Sequence, residues 1–136
     1  FFIDNNVLGN YENSWLHIKN VYMNGISYGG AIGTAKAFGT LLQDLLQDKS
    51  KLLNNQTKQL LYQEQNIEKK EKIMMTLGWH IKYINDIQYF YKEGGGAGFH
   101  CEMRIYPKLK LASVLITNKT SFDTNKHLSN LDKIFF

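Results

Sequence analysis

Phe99-His100-Cys101-Glu102-Met103-Arg104-Ile105-Tyr106 is the stretch on which the fold turns. Phe99, Cys101, Met103 and Ile105 alternate with His100, Glu102, Arg104 and Tyr106, so one side is apolar and the other carries polar groups. A period of two is that of a β-strand with two different faces. Pro107 ends it, because proline has no N–H to donate to a ladder. Downstream, Leu111 to Thr117 reads Leu-Ala-Ser-Val-Leu-Ile-Thr, apolar on both faces, as expected of a central, covered strand. Upstream, Trp79, Ile81 and Tyr83 alternate with His80 and Lys82, and Asn85-Asp86 is a turn signal. A further strand is expected from Ile87 to about Lys92, followed by a loop rich in glycine at Gly94, Gly95, Gly96 and Gly98. The region 76–118 therefore reads as an antiparallel meander.

Helical periodicity brackets it. Thr34 suits an N-cap, and Phe38, Leu41, Leu42, Leu45 and Leu46 then form one stripe at i, i+3, i+4, i+7 and i+8. A shorter helix is expected over about 55–63, with Leu60 and Leu61 inward, so that 31–65 is the helical part. A closing helix over 121–135, beginning near Asp123, would present Leu128, Leu131, Ile134 and Phe135 inward. Residues 1–30 carry turn signals and apolar anchors without a period, and read as a long packed loop. Helices, then a meander, then a closing helix make the class α+β rather than alternating α/β.

Composition limits the function classes. A chain of 136 residues with 43% hydrophobic and 21% charged residues suits one globular domain. No apolar run approaches the roughly 18 residues of a membrane span. The single Cys101 excludes an internal disulfide framework and a cysteine-based zinc cluster. The net charge of +4 invites a nucleic-acid partner, but of the 16 basic residues only Arg104 is an arginine, and arginine is the usual base reader. The lysines are scattered, and Lys69-Lys70-Glu71-Lys72 reads as a solvated turn. The chain begins at Phe1 rather than Met and reads as a single incomplete domain over 1–136, any targeting segment lying upstream.

The strongest local signal is Tyr91-Lys92-Glu93-Gly94-Gly95-Gly96-Ala97-Gly98-Phe99. A lysine at a strand's end is followed at once by residues without side chains, which let a ligand approach the backbone. Positive charge beside exposed N–H groups suits an anion or a developing oxyanion. A plain hairpin loop with a surface lysine fits the same spacing. His17, His80, His100 and His127 show no ligand spacing, Cys101 sits on the apolar face of its strand, and Ser27, Ser113 and Ser121 lack a Gly-x-Ser-x-Gly elbow. No metal site is expected.

Two segments together resemble the C-terminal half of the serine β-lactamase and penicillin-binding-protein family, in its class C and esterase branch. Tyr28-Gly29-Gly30-Ala31-Ile32-Gly33-Thr34-Ala35 and the helix after it are similar to the family's Gly-Gly-x-x-x-Thr segment. Lys92-Glu93-Gly94 and Gly98-Phe99 are similar to its Lys/His-x-Gly and Gly-Phe strands, and the strand ending at Asn118 to its last one. The resemblance implies a partial β-lactamase/transpeptidase-like fold and acyl transfer through a serine ester, without cofactor, on ester, amide or β-lactam substrates of small-molecule or peptidoglycan-like type. It casts Lys92 and Gly95 as the catalytic pair, Lys92 as the positive charge and Gly95 as an oxyanion donor. The substrate wall would be Lys92, Glu93, Gly94, Gly95 and Gly96. Glu93 replaces the usual hydroxyl residue, which disfavours a substrate carboxylate there. No Ser-x-x-Lys occurs in the chain. The nucleophile is therefore expected in a missing N-terminal portion, and this chain alone is expected to be inactive. Tyr11-Glu12-Asn13 and Tyr22-Met23-Asn24 match the second motif by chance. The alternative is a non-catalytic ligand-binding or sensor domain on the same scaffold.

Overall fold

The computed structural model describes residues 29–66 and 73–136, and the backbone of two short strands, β1 (Tyr11–Glu12) and β2 (Trp15–Leu16), which pair antiparallel. The expected packed loop over 1–30 otherwise lies outside the described residues, as does the charged turn at 69–72. Helix α1 (Ala35–Leu46) opens where expected, with the Thr34 hydroxyl accepting from the Ala37 N–H. Helix α2 (Asn55–Tyr62) is capped in the same way by Asn54 on the Thr57 N–H. Between them, the Asp44 carboxylate accepts from the Ser50 hydroxyl and from the N–H groups of Lys51 and Leu52, which holds the corner.

The meander is present. Strands β3 (His80–Ile84), β4 (Ile87–Gly96), β5 (Phe99–Tyr106) and β6 (Leu111–Thr117) form one antiparallel sheet whose spatial order is the chain order. Asn85 and Asp86 both have positive φ, 49° and 62°, the mirror-image turn that suits the twist of a two-residue hairpin.

Three expectations need correction. β4 does not stop near Lys92 but runs on through Gly96, and only Ala97 and Gly98 form the loop. Tight pairing with β5 holds the glycines in the ladder. β6 is the terminal strand among the described residues rather than a central one; its two-sided apolarity reflects cover by α1 on one face and the closing helix on the other. That helix, α3 (Thr124–Asp132), buries Thr124, Leu128 and Asp132, a stripe at i, i+4 and i+8. Leu131, Ile134 and Phe135 are exposed, as Leu60 is on α2.

The strand alternation sorts the sheet into two layers. On the α1 face, Leu42 and Leu45 pack with Trp79, Ile81, Phe90 and Ile105, supported by Met103, Ala112 and Val114. Leu42 is fully buried, and truncating such a leucine to alanine typically costs about 2–5 kcal/mol. The α3 face is different in kind: its centre is the buried Arg104. Its Nε donates to Glu102 Oε1 at 2.6 Å. Its Nη1 donates to Asp132 Oδ2 at 3.2 Å and Ser129 Oγ at 3.1 Å, and its Nη2 to Asn125 Oδ1 at 2.8 Å and the Asn125 carbonyl at 3.1 Å. All five guanidinium donors are thus used. Thr124 Oγ1 donates to the second Glu102 oxygen at 2.7 Å. Burial opposes the guanidinium's charge, but the Glu102 hydrogen bond and charge outweigh it and hold the Arg104 pKa above its ordinary value.

Candidate functional site

The two hairpins fix where the backbone groups of β4 point. Closure on Gly96 and Phe99 makes that pair hydrogen-bonded, and antiparallel ladders alternate, so Gly94–Cys101 and Lys92–Met103 are bonded pairs while Gly95–His100 and Glu93–Glu102 are not. The N–H groups of Glu93 and Gly95 therefore face away from β5, toward the side of β3. β3 begins at His80, opposite Tyr91, so β4 overhangs it by five residues' length at this end. Among the described residues, no turn or loop hydrogen bond claims either N–H. Among the described residues, the overhang is a short stretch of open sheet edge.

Side chains alternate along the same stretch. Lys92 shares the α1 face with Phe90, Gly94 and Gly96; Glu93 and Gly95 belong to the α3 face. Lys92 is exposed and makes no ion pair among the described residues. Glu93 does have a partner: its Oε1 lies 2.7 Å from Nε2 of His100. Lys92 and Glu93 thus leave the strand on opposite faces, and the carboxylate is kept away from the lysine's side.

Each glycine of the run faces a β5 side chain. A Cβ on Gly94 would lie 3.1 Å from Cys101 Sγ, one on Gly95 3.2 Å from His100 Cδ2, and one on Gly96 2.6 Å from Phe99 Cε1. The absence of side chains on β4 is filled by side chains from β5, two on the α1 face and the imidazole on the other. Cys101 Sγ donates to the Gly94 carbonyl at 3.3 Å, and burial pushes the thiol pKa up, which suppresses the thiolate.

Of the residues singled out in the sequence, Lys92, Glu93, Gly94, Gly95 and Gly96 lie on consecutive positions of one strand. The Gly29–Thr34 segment leads into α1, with Gly30 at a positive φ of 89°, while Tyr28 lies outside the described residues. No serine of the described residues shares the overhang: Ser50 bonds Asp44, Ser129 bonds Arg104, Ser113 pairs with Arg104 on β6, and Ser121 follows the sheet. A surface depression of about 540 Å³ at the α1–α2 corner is lined by Asp48, Asn55, Lys58, Gln59 and Tyr62, none of them a residue singled out in the sequence. Among the described residues no cluster of three or more His, Cys, Asp or Glu could hold a metal ion, and no helix is long and apolar enough to cross a membrane.

Two features escaped the sequence reading. The Glu93–His100 pair spans seven positions and exists only because the hairpin turns between them. The Arg104 cluster joins β5 to α3 across more than twenty residues; its one visible signal was a lone arginine on the polar face of an alternating strand.

Searches of family models, of curated proteins and of solved structures returned no match to this chain.

Proposed function

We propose that this chain forms one wall of the acyl-transfer cleft of a β-lactamase-related serine hydrolase, with Lys92 and the Gly95 N–H facing the substrate. The observation that carries the reading is the overhang of β4: a backbone donor outside the ladder, three residues from an exposed lysine with no ion pair among the described residues, on a glycine-bearing edge. An N–H fixed by a sheet is a preorganised donor for a carbonyl oxygen that gains charge in a tetrahedral intermediate, and such a donor is typically worth about 2.7–4 kcal/mol. Lys92 adds positive charge near the same edge. The attacking serine and its activating lysine come from chain outside these 136 residues, so the chain alone has no turnover.

The test is acyl-enzyme formation in the natural full-length protein, with a fluorescent penicillin and an activated ester as separate probes. Covalent labelling of a serine outside these 136 residues, reduced at least tenfold by Lys92→Ala, is the expected result. Absence of labelling by both probes in a folded, full-length protein overturns it. The packing of β5 side chains over the glycines favours one other reading, a non-catalytic ligand-binding domain in which the edge binds without reacting; reversible binding of either probe with no covalent product would establish that one.

A further inference from the structure

We propose that His100, braced by Glu93, is a positioning residue that holds the Gly95 N–H in its outward orientation and closes the α3 face of Gly95 to ligands. The proposal rests on the assignment of Gly95 as a donor made above. Gly95 has no side chain of its own to fix its backbone, and it sits in a non-hydrogen-bonded pair, where the ladder does not hold it directly. Such pairs bring the two Cα atoms closest, about 4.5 Å apart, so the partner side chain lies hard against the glycine.

His100 uses that proximity. Its Cδ2 stands 3.2 Å and its Nε2 3.7 Å from where a Gly95 Cβ would be. The ring is largely buried, with 16% of its side chain exposed, and Nδ1 has no hydrogen-bond partner among the described residues. Nε2 is engaged by Glu93 Oε1 at 2.7 Å. Neither ring nitrogen is therefore open to a substrate, which argues against a general-base role and for a structural brace across one residue of β4. Glu93 reaches His100 from two positions before Gly95, on the same face, and the brace spans β4 and β5 where β3 gives no support.

A consequence is sidedness. With the imidazole on the α3 face, the approach to Gly95 is left from the strand edge and from the α1 face, where Lys92 lies. Glu93, held against His100, is turned away from that approach. This explains how a carboxylate can follow Lys92 directly without repelling an anionic ligand.

The experiment is backbone ¹⁵N relaxation on the full chain labelled at glycine, comparing Gly95 with Gly39 in α1. In the unmodified protein the Gly95 order parameter should be near the rigid value of about 0.85, and in His100→Ala it should fall below about 0.6 while Gly39 is unchanged. Glu93→Gln, whose amide oxygen still accepts from the imidazole N–H, should keep Gly95 rigid, and Glu93→Ala should not. The half-exposed Glu93 makes the last variant readable even if His100→Ala fails to fold. An unchanged Gly95 in the alanine variants, or an equal loss at Gly39, overturns the proposal. Labelling with the fluorescent penicillin and the activated ester separates the two claims: a rigid, His100-dependent Gly95 in a full-length protein that neither probe acylates would retain the brace and reject the acyl-transfer reading.

Discussion

Tyr106 and Asp132 meet across the sheet–helix interface, the phenol donating to Asp132 Oδ2 at 2.7 Å, with both residues at most 1% exposed. The same oxygen accepts from Arg104, so a single carboxylate on the last turn of α3 anchors the helix to two consecutive polar-face positions of β5. Tyr106 also stacks on Tyr89, ring centroids 5.0 Å apart, and Arg104 lies 4.9 Å over the Tyr89 ring. Orientation of α3 thus depends on directional contacts more than on an apolar stripe, which leaves Leu131, Ile134 and Phe135 free to face outward.

This arrangement makes Asp132→Ala severe. Removing the carboxylate strands a buried phenol and deprives a buried guanidinium of one of its two acids, and breaking a buried ion pair by removing one partner typically costs about 3–5 kcal/mol. Urea denaturation should show the midpoint falling accordingly. Arg104→Lys should also destabilise the fold despite keeping the charge, because three ammonium donors cannot serve five acceptor contacts in a planar fork. A lysine variant as stable as the parent would refute the cluster's role.

At high pH the tyrosines dominate. Burial pushes the Tyr62 phenol up to about 12, and burial with the Asp132 contact raises that of Tyr106 as well. Folded-state values above the unfolded value of about 10 mean that, above pH 10, the unfolded chain has lost phenolic protons the folded one keeps. Stability from these groups is complete below pH 10 and declines as pH rises toward and through 12. Denaturation midpoints measured from pH 9 to 12 should follow that slope.

The Tyr62 hydroxyl is buried with no hydrogen-bond partner among the described residues, while its ring packs 4.8 Å from Phe90. An unsatisfied buried hydroxyl typically costs about 1–3 kcal/mol. Tyr62→Phe should accordingly raise stability by about 1 kcal/mol at pH 7 and make the alkaline decline shallower. Thermal melting of the variant at pH 7 and pH 11 checks both signs.

The hairpin glycines should rank by conformation rather than by crowding. Gly98 has φ of 83°, a region costly to residues with a Cβ, so Gly98→Ala is expected to lose about 1–2 kcal/mol. Gly96→Ala introduces a Cβ against the Phe99 ring, but that ring is 48% exposed and can swing aside. Its net effect should stay within about 1 kcal/mol, since alanine is also less costly than glycine to order in a strand. The reverse ranking in denaturant melts would refute this account of the turn.

Lys92→Ala should leave the denaturation midpoint within about 0.5 kcal/mol of the unmodified chain, because the side chain is exposed and unpaired among the described residues. Loss of probe labelling in the full-length protein with no loss of stability would place Lys92 in ligand handling. A large stability change would instead make it part of the scaffold.

Much of the architecture is local and was therefore legible. Thr34 caps α1 because a hydroxyl at that place satisfies an otherwise free N–H; Asn85-Asp86 turns because both residues tolerate positive φ; and the alternation of 99–106 separates an apolar face from a polar one whatever surrounds it. These are properties of a few neighbouring residues. The extent of β4 was not local: Lys92 to Gly96 has weak strand propensity, and only pairing with Met103 to Phe99 holds it extended. The inward face of α3 was misjudged for a related reason. An apolar stripe at 128, 131, 134 and 135 outranks one at 124, 128 and 132 by hydrophobicity alone, yet the second is buried because Arg104 on another strand supplies its polar partners. Sequence by itself determined the α+β class, the element order and the turn positions. Tertiary structure decided which residues became partners, Glu93 with His100 and Arg104 with Asp132, because the energy of a buried polar group depends on where its complement lies in space and not on its distance along the chain.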